Sequence, residues 1–403
     1  MLQIVRMPRV NALRKAARRA TVLIGCGLIP VVLLAVFLSP GFSSGAGTAQ
    51  DAFGFDFRAS WGAAGDVLER ESPYPAPTHA ALDGEDQFVY PPPAAIAAIP
   101  FRLLPFDAAA LAFAVLLVGA TILTLRVLEV SDWRCYGLVF AWLPVLDGVR
   151  LGAVSILLAL GVAIVWRWRA RAPVVIAATA ALVAAKLFLW PLALWLAVTG
   201  RLRQAAASIA VAAAVTLGAW AVIDFAGLRD YPAMLSALTD VVAWNSYSLD
   251  ALAVAAGLPE LAQRLLPLAV GGAALALVIL FGRRRTRDDD ARAFCTAIAA
   301  ALALSPIVWT HYFALLVVPI ALARPRLSPL WLLPLAFWLS PNQSGGELWR
   351  IGLVLAVTCV VFVVTIGASL PRPARLHQAR PRDANRDDTT ADFDRRLSVN
   401  HQP

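Results

Sequence analysis

A few ionisable side chains stand out because their surroundings are so poor in charge. Lys186 sits inside an alanine-rich apolar run and is one of two lysines among thirty-five basic residues. An ionisable group near the centre of a bilayer costs about 2.5–3.5 kcal/mol on insertion scales, so it is kept where it faces a cavity and meets an anion. Lys186 is therefore a candidate anion-binding residue; the plainer alternative is a lysine reaching to the membrane surface from a helix end. Asp56 stands in Phe53-Gly54-Phe55-Asp56-Phe57-Arg58, with Trp61 close behind. These aromatics are expected to dip into a membrane interface and hold the carboxylate there, where it could serve as a general base. His311, in Ser305-Pro306-Ile307-Val308-Trp309-Thr310-His311-Tyr312, opens an apolar segment. Asp83, Glu85 and Asp86 could offer oxygen ligands to a divalent cation, but a solvated acidic loop is the simpler account. The four cysteines include no Cys-x-x-Cys pair, so neither a metal site nor a disulfide framework is expected.

The elements that must position these residues are membrane helices. Sixty per cent of the 403 residues are hydrophobic and 15% are charged, against about 25% charged in a soluble chain. The net charge of +9 is not a nucleic-acid signal, because it is placed beside apolar runs. Six basic residues and no acids fall in the first nineteen positions, and Arg167, Arg169 and Arg171, like Arg283, Arg284 and Arg285, flank apolar segments. Short loops rich in Lys and Arg stay cytoplasmic. Residues 1–19 are then a cytoplasmic N-terminus, and the run Val22–Leu38 is a retained first span rather than a cleaved leader. An all-α bundle of about twelve spans is expected over residues 20–370. Spans fall near 20–41, 107–128, 134–146, 150–166, 204–223, 261–282, 291–306, 312–323, 327–340 and 348–369. A short hairpin over 173–199 has its apex near Lys186; a single long tilted helix is the competing reading. The first outer loop is 42–106. Its polar part, 42–88, holds eight acids against two arginines, and 90–104 reads as a juxtamembrane or re-entrant helix. The second outer loop is 224–260. Residues 371–403 read as a disordered cytoplasmic tail, and Asp288–Asp290 as charges that balance neighbouring arginines.

In this topology the unusual polar residues collect toward the outer face: Asp56, Asp147, Arg150, Lys186, Asn245, Ser246, His311, Asn342 and Gln343. No acid lies mid-span, which weakens the case for a secondary transporter, since such a protein needs an ion or substrate path through the midplane. A lipid-linked ligase or acyltransferase remains a rival to a glycosyl-transferring enzyme.

Several blocks carry a resemblance to glycosyltransferase family 87, a GT-C-class family of membrane enzymes. They are Asp56 followed by Ala63-Ala64, Leu68 and Pro73-Tyr74; Phe88-Val89-Tyr90-Pro91-Pro92 continuing to Pro100 and Leu104-Pro105; the Leu151-Gly152 turn; Lys186; and Ser305-Pro306 with Trp309 and His311. The chain departs from the pattern at Ala153, where Gln is common, at Asn245-Ser246-Tyr247-Ser248, and at Tyr312, where a second His is common. The resemblance implies a GT-C-like bundle in a bacterial plasma membrane, with both termini cytoplasmic and an extracytoplasmic active site. It implies transfer of a hexose, mannose by resemblance, from a polyprenyl-phosphate donor to a lipid or glycan acceptor, with inversion. Asp56 would be the catalytic base. Lys186, His311, Arg58 and Arg150 would bind the donor phosphate, and Tyr90, Asn245 and Trp309 the substrate. No metal and no cofactor is implied.

Overall fold

Every regular element among the described residues is helical. The computed structural model describes residues 8–39, 52–82, 87–242, 245–341 and 344–368. The tail beyond 368, the acidic trio Asp83, Glu85 and Asp86, and Asn342 and Gln343 lie outside these ranges. Five helical stretches are long and apolar enough to cross a membrane: Lys15–Phe37, Phe106–Val127, Leu202–Val222, Glu260–Arg284 and Leu348–Gly367. A sixth crossing arises if Leu143–Leu151 and Ser155–Arg167, bent by 117° at a short break, are counted as one. With apolar faces this extensive, the chain is a membrane protein.

In chain order the elements are α1 (Pro8–Leu23), a π turn (Ile24–Leu28), α2 (Ile29–Phe37), α3 (Phe55–Glu69), α4 (Pro92–Ala98) and α5 (Phe106–Val127). Next come α6 (Trp133–Val139), α7 (Leu143–Leu151), α8 (Ser155–Arg167), α9 (Ala172–Ala185), α10 (Pro191–Val198) and α11 (Leu202–Val222). The rest are α12 (Tyr231–Val242), α13 (Leu249–Ala255), α14 (Glu260–Arg284), α15 (Arg287–Ala303), α16 (Val317–Ala323) and α17 (Leu348–Gly367). The segment 90–104 is short, as its length requires: α4 and a 3₁₀ turn, Ile99–Leu103, packed beside α3.

Two segments expected as α-helical spans are built differently. Thr310–Leu316 is 3₁₀ before α16, and Pro329–Leu339 is 3₁₀ throughout, with Pro334 inside it. Proline lacks the N–H that an α-helix interior needs. The 3₁₀ form also rises about 2.0 Å per residue against 1.5 Å, so a short apolar stretch covers more of the bundle's depth. Trp331 is buried and Trp338 half-buried, and both have their N–H groups satisfied. Trp331 donates to the carbonyl of Arg324 at 2.8 Å, and Trp338 to that of Ala141 at 2.8 Å.

The 172–198 segment is broken at Lys186. α9 ends at Ala185, Lys186 is extended (φ −149°, ψ 110°), and a 3₁₀ turn, Leu187–Leu189, leads into α10 with Pro191 in its first turn. The two flanks return to one place. Arg169, ahead of α9, and Arg201, after α10, both bind Asp290, each at 3.1 Å. Trp195 also donates to the Asp290 carboxylate at 3.0 Å. A single long helix would separate Arg169 and Arg201 by its whole length, so the hairpin describes this segment. Asp290 is correspondingly more than a counter-charge for its neighbours in sequence: it closes the base of the hairpin.

Asp290 belongs to a connected set of element ends. Arg167 pairs with Glu129 at 2.9 Å, the N–H of Leu327 donates to Asp132 at 3.1 Å, and Arg292 donates to the carbonyl of Ile366 at 3.1 Å. These contacts gather the ends of α5, α8, α10, α15, α16 and α17 into one basic end. Small residues let the remaining helices approach: Ala180, Ala184, Ser208 and Ala212 are buried where α9 meets α11. Where lipid removes the hydrophobic drive between helices, such close van der Waals packing holds them together.

Candidate active site

The opposite ends of the elements surround a cavity of about 1030 Å³. Asp56 reaches it from the first turn of α3. Gly54, just before the helix, takes a left-handed conformation (φ 74°) and donates its N–H to the carbonyl of Arg150 at 2.8 Å. That bond ties the start of α3 to the end of α7. Gly152, the residue after α7, is also left-handed (φ 71°), and a Cβ there would lie 2.6 Å from Cβ of Phe57. Only glycine allows this approach without strain. Phe57 is buried and stacks on Phe113, ring centroids 4.5 Å apart, with Phe101 edge-on at 5.4 Å. The aromatic residue after Asp56 therefore anchors α3 inside the protein rather than dipping into an interface. Offset stacking of buried rings is favourable beyond the area they hide.

His311 comes from the 3₁₀ turn before α16. Its Nε2 lies 3.6 Å from Oδ2 of Asp56. Neither atom has a hydrogen-bond partner, and both are buried. A buried polar atom left unsatisfied is costly, so this gap is a place where a ligand's hydroxyl or oxygen would be held. Burial raises the Asp56 carboxyl above the ordinary carboxylate range and Asp147 pushes it the same way, while Lys186 pulls against both. The start of α3 adds its own pull toward the ionised form.

Lys186 is carried in by the break between α9 and α10 and is itself buried. Its Nζ donates to the hydroxyl of Tyr312 and lies 3.7 Å from that ring's centroid and 4.8 Å from the centroid of Tyr90. The ammonium thus faces two aromatic rings, an arrangement favourable for a cation. Tyr90 is held in turn through the backbone beside it. Tyr74 donates to the carbonyl of Tyr90 at 3.0 Å, and Tyr231 to that of Val89 at 3.1 Å. The rings of Tyr74 and Trp220 stack at 5.0 Å, joining the first polar loop to the end of α11.

Of the residues singled out in the sequence, Asp56, Tyr90, Arg150, Lys186, Asn245, Trp309 and His311 all line this one cavity. Arg150 is buried, with Nε 3.9 Å from Asp147, and Asn245 accepts from the N–H of Gly345 at 2.6 Å. Arg58 does not join them. It lies two residues past Asp56, where a helix has turned about 200°, and its guanidinium sits 3.9 Å from the ring centroid of Phe106. Tyr312 and Tyr231 line the cavity too, and sequence reasoning gave neither a role. Their partners are 126 and 142 residues away, and no local spacing announces such contacts. Between α9, α10 and α11 the lining is apolar: Val183, Leu187, Trp190, Ile209, Ala212 and Ala213. Among the described residues no group of His, Cys, Asp or Glu is placed to hold a metal ion.

The cavity thus combines a carboxylate able to take a proton, a cation, hydrogen-bond donors and an apolar flank. That set suits the transfer of a group from an anionic, lipid-linked leaving group to a hydroxyl. No curated protein and no solved structure matches the chain. The model of glycosyltransferase family 87 matches residues 88–308. Tyr90, Arg150, Lys186 and Asn245 fall inside that stretch, whereas Asp56, Trp309 and His311 fall outside it and join the site by folding. The match spans more than half of the sequence, and the chain accordingly belongs to glycosyltransferase family 87, as a membrane glycosyltransferase.

Proposed function

We propose that this enzyme moves a hexose, mannose by family likeness, from a polyprenyl-phosphate donor to a lipid or glycan acceptor, inverting the anomeric centre. The observation that carries the reading is the Asp56–His311 gap of 3.6 Å, in a cavity that also receives Lys186 and continues along an apolar flank. The acceptor hydroxyl lies against Asp56, which takes its proton as the acceptor oxygen bonds to the anomeric carbon. On the opposite face of that carbon the bond to the phosphate oxygen breaks, and the electron pair leaves with polyprenyl phosphate. Lys186 and His311 meet the charge that develops there; fixed donors aimed at developing charge are commonly the largest single contribution to catalysis. Arg150 is a further cation on the cavity wall. Tyr90, Asn245 and Trp309 contact the sugars. The prenyl chain lies in the flank from Val183 to Ala213; from Ile209 to Trp220, α11 alone offers about 16 Å of wall at 1.5 Å per residue.

The same reading puts the cavity on the extracytoplasmic side of a bacterial plasma membrane and both termini in the cytoplasm. What supports it is the arginine-rich end opposite the cavity, since cytoplasmic loops carry the excess of Lys and Arg. Twelve segments running between the two ends fit this arrangement. They are α1 with α2, α5, α6 with α7, α8, α9, α10, α11, α14, α15, the 310–323 stretch, the 3₁₀ helix Pro329–Leu339 and α17. The test is to incubate purified protein with β-linked polyprenyl-phosphate-mannose and a panel of lipid and glycan acceptors. A mannosylated acceptor with released polyprenyl phosphate is expected. Turnover of nucleotide sugars only would contradict the donor assignment.

A further inference from the structure

The cavity contains a hydroxyl to which the reaction above gives no part. Tyr312 follows His311 directly, and its backbone N–H donates to the carbonyl of Trp309 at 2.9 Å. Its ring stacks on Phe188, centroids 5.5 Å apart and planes 22° from parallel, so the phenol is fixed from the hairpin side. Lys186 donates to its oxygen. An ammonium has donors only, whereas a phenol has one donor and room to accept. Once Oη accepts from Lys186, its own O–H must point at something else. Among the described residues no other side chain forms a hydrogen bond with Tyr312, and the residue lines the cavity.

We propose that Tyr312 is a further catalytic residue, which donates its O–H to a non-bridging oxygen of the donor's phosphate, in series with Lys186. This rests on the polyprenyl-phosphate reading of the site. The ammonium, by donating to Oη, polarises the phenol and makes it the stronger donor as charge builds on the leaving phosphate. Tyr312 keeps its proton throughout: the acceptor's proton passes to Asp56, and the electron pair of the broken bond stays on the phosphate. The gain is a donor that reaches beyond Lys186 without burying a second cation beside it.

Sulfur accepts hydrogen bonds poorly, so a donor with one non-bridging phosphate oxygen replaced by sulfur reports on this bond. Wild type, Tyr312→Phe and Tyr312→His would be compared in the full-length protein with both donors, alongside thermal stability. Tyr312→Phe keeps the stacked ring and is expected to lower kcat about 10²-fold, as loss of one such donor does, with little change in melting temperature. The sulfur donor should slow wild type and slow Tyr312→Phe distinctly less, because the bond it weakens is already gone. Tyr312→His, which restores an N–H donor, should recover part of the loss. Two results would overturn the proposal: kcat unchanged in Tyr312→Phe, or a lowered kcat with an undiminished sulfur effect, which would mark a packing role. Should Tyr312→Phe fail to accumulate, Tyr312→His decides: activity with the sulfur effect kept supports donation, and a folded but inactive protein overturns it. A wild-type enzyme inactive with the oxygen donor removes the donor reading itself, and this is seen before any variant is compared.

Discussion

In the reaction proposed here, Asp56 is the residue whose protonation state decides whether an acceptor can be activated. A general base works only when ionised, and burial raises this carboxyl above the ordinary carboxylate range while Lys186 partly restrains it. The sign follows directly. Below the folded pKa the group is neutral and cannot take a proton, so kcat/KM should rise with pH through that pKa. The acidic limb should therefore lie above the ordinary aspartate value of about 3.9. Replacing Lys186 by Ala removes the cation that restrains it and should move the limb further up in pH. A pH–rate profile of kcat/KM for the two proteins checks both statements; a limb that stays put in the variant would show that Lys186 does not act on Asp56. Asp56, Lys186 and His311, which meet at the cavity, stood out in the sequence for different reasons: Asp56 for its aromatic neighbours, Lys186 for its alanine-rich apolar run and His311 for its place at the start of an apolar segment. Arg58 was expected to bind the donor phosphate, but helical rotation sends it to Phe106 instead. Tyr312 was marked only as a departure from the family pattern, and a buried tyrosine is ordinary until a lysine 126 residues away is seen to touch it.

At the scale of elements, the site depends on backbone features with no chemistry of their own. The start of α3 is held by the Gly54–Arg150 bond and by the close approach of Phe57 to Gly152. Gly152→Ala adds a Cβ within 2.6 Å of Phe57 at a left-handed position. Strain and clash together should destabilise the protein by about 1–3 kcal/mol. Any relief must come from moving α3, so kcat should fall although Gly152 does not itself line the cavity. Thermal unfolding in detergent together with kcat and KM checks this; lost stability with full kcat would uncouple the turn from the site. Apolar runs and arginine clusters placed α5, α11 and α14 close to their bounds, and the break at Lys186 followed from two basic flanks around a stretch too long for one helix; the span expected over 134–146 is instead split into α6 and α7, and α7 runs on through Asp147 and Arg150 to Leu151. The 3₁₀ character of 310–316 and 329–339 was not readable. Apolar periodicity does not separate 3₁₀ from α over so few residues, and Pro334 alone does not say which form replaces the α-helix.

For the whole molecule, the two ends differ in character. One is a basic set tied through Asp290, Glu129 and Asp132, and the other is the cavity. The orientation proposed here sets these ends on opposite sides of the membrane, which single-cysteine labelling in intact cells can read. With the four native cysteines replaced, a cysteine at Arg285 should stay unreactive to an impermeant maleimide until the cells are opened. One at Ser236 or Ala256 should react from outside. Equal labelling of Arg285 and Ser236 from outside would invert or dismantle the topology. The bundle's helical class was legible from composition, but its cavity was not. It is assembled from the 50s, 80s, 90s, 140s, 180s, 210s, 230s, 240s and 300s, among others, and only packing brings those stretches together.

The central claim is that Asp56 activates an acceptor hydroxyl for direct displacement of polyprenyl phosphate. The most direct measurement follows both the rate and the anomeric configuration of the product made from a β-linked polyprenyl-phosphate-mannose donor by wild type and by Asp56→Asn. The account predicts an α-linked product from wild type. In Asp56→Asn it predicts a loss of about 10²–10⁴-fold in kcat, with folding and donor binding kept. A β-linked product, or an Asp56→Asn enzyme that turns over at the wild-type rate, would contradict it.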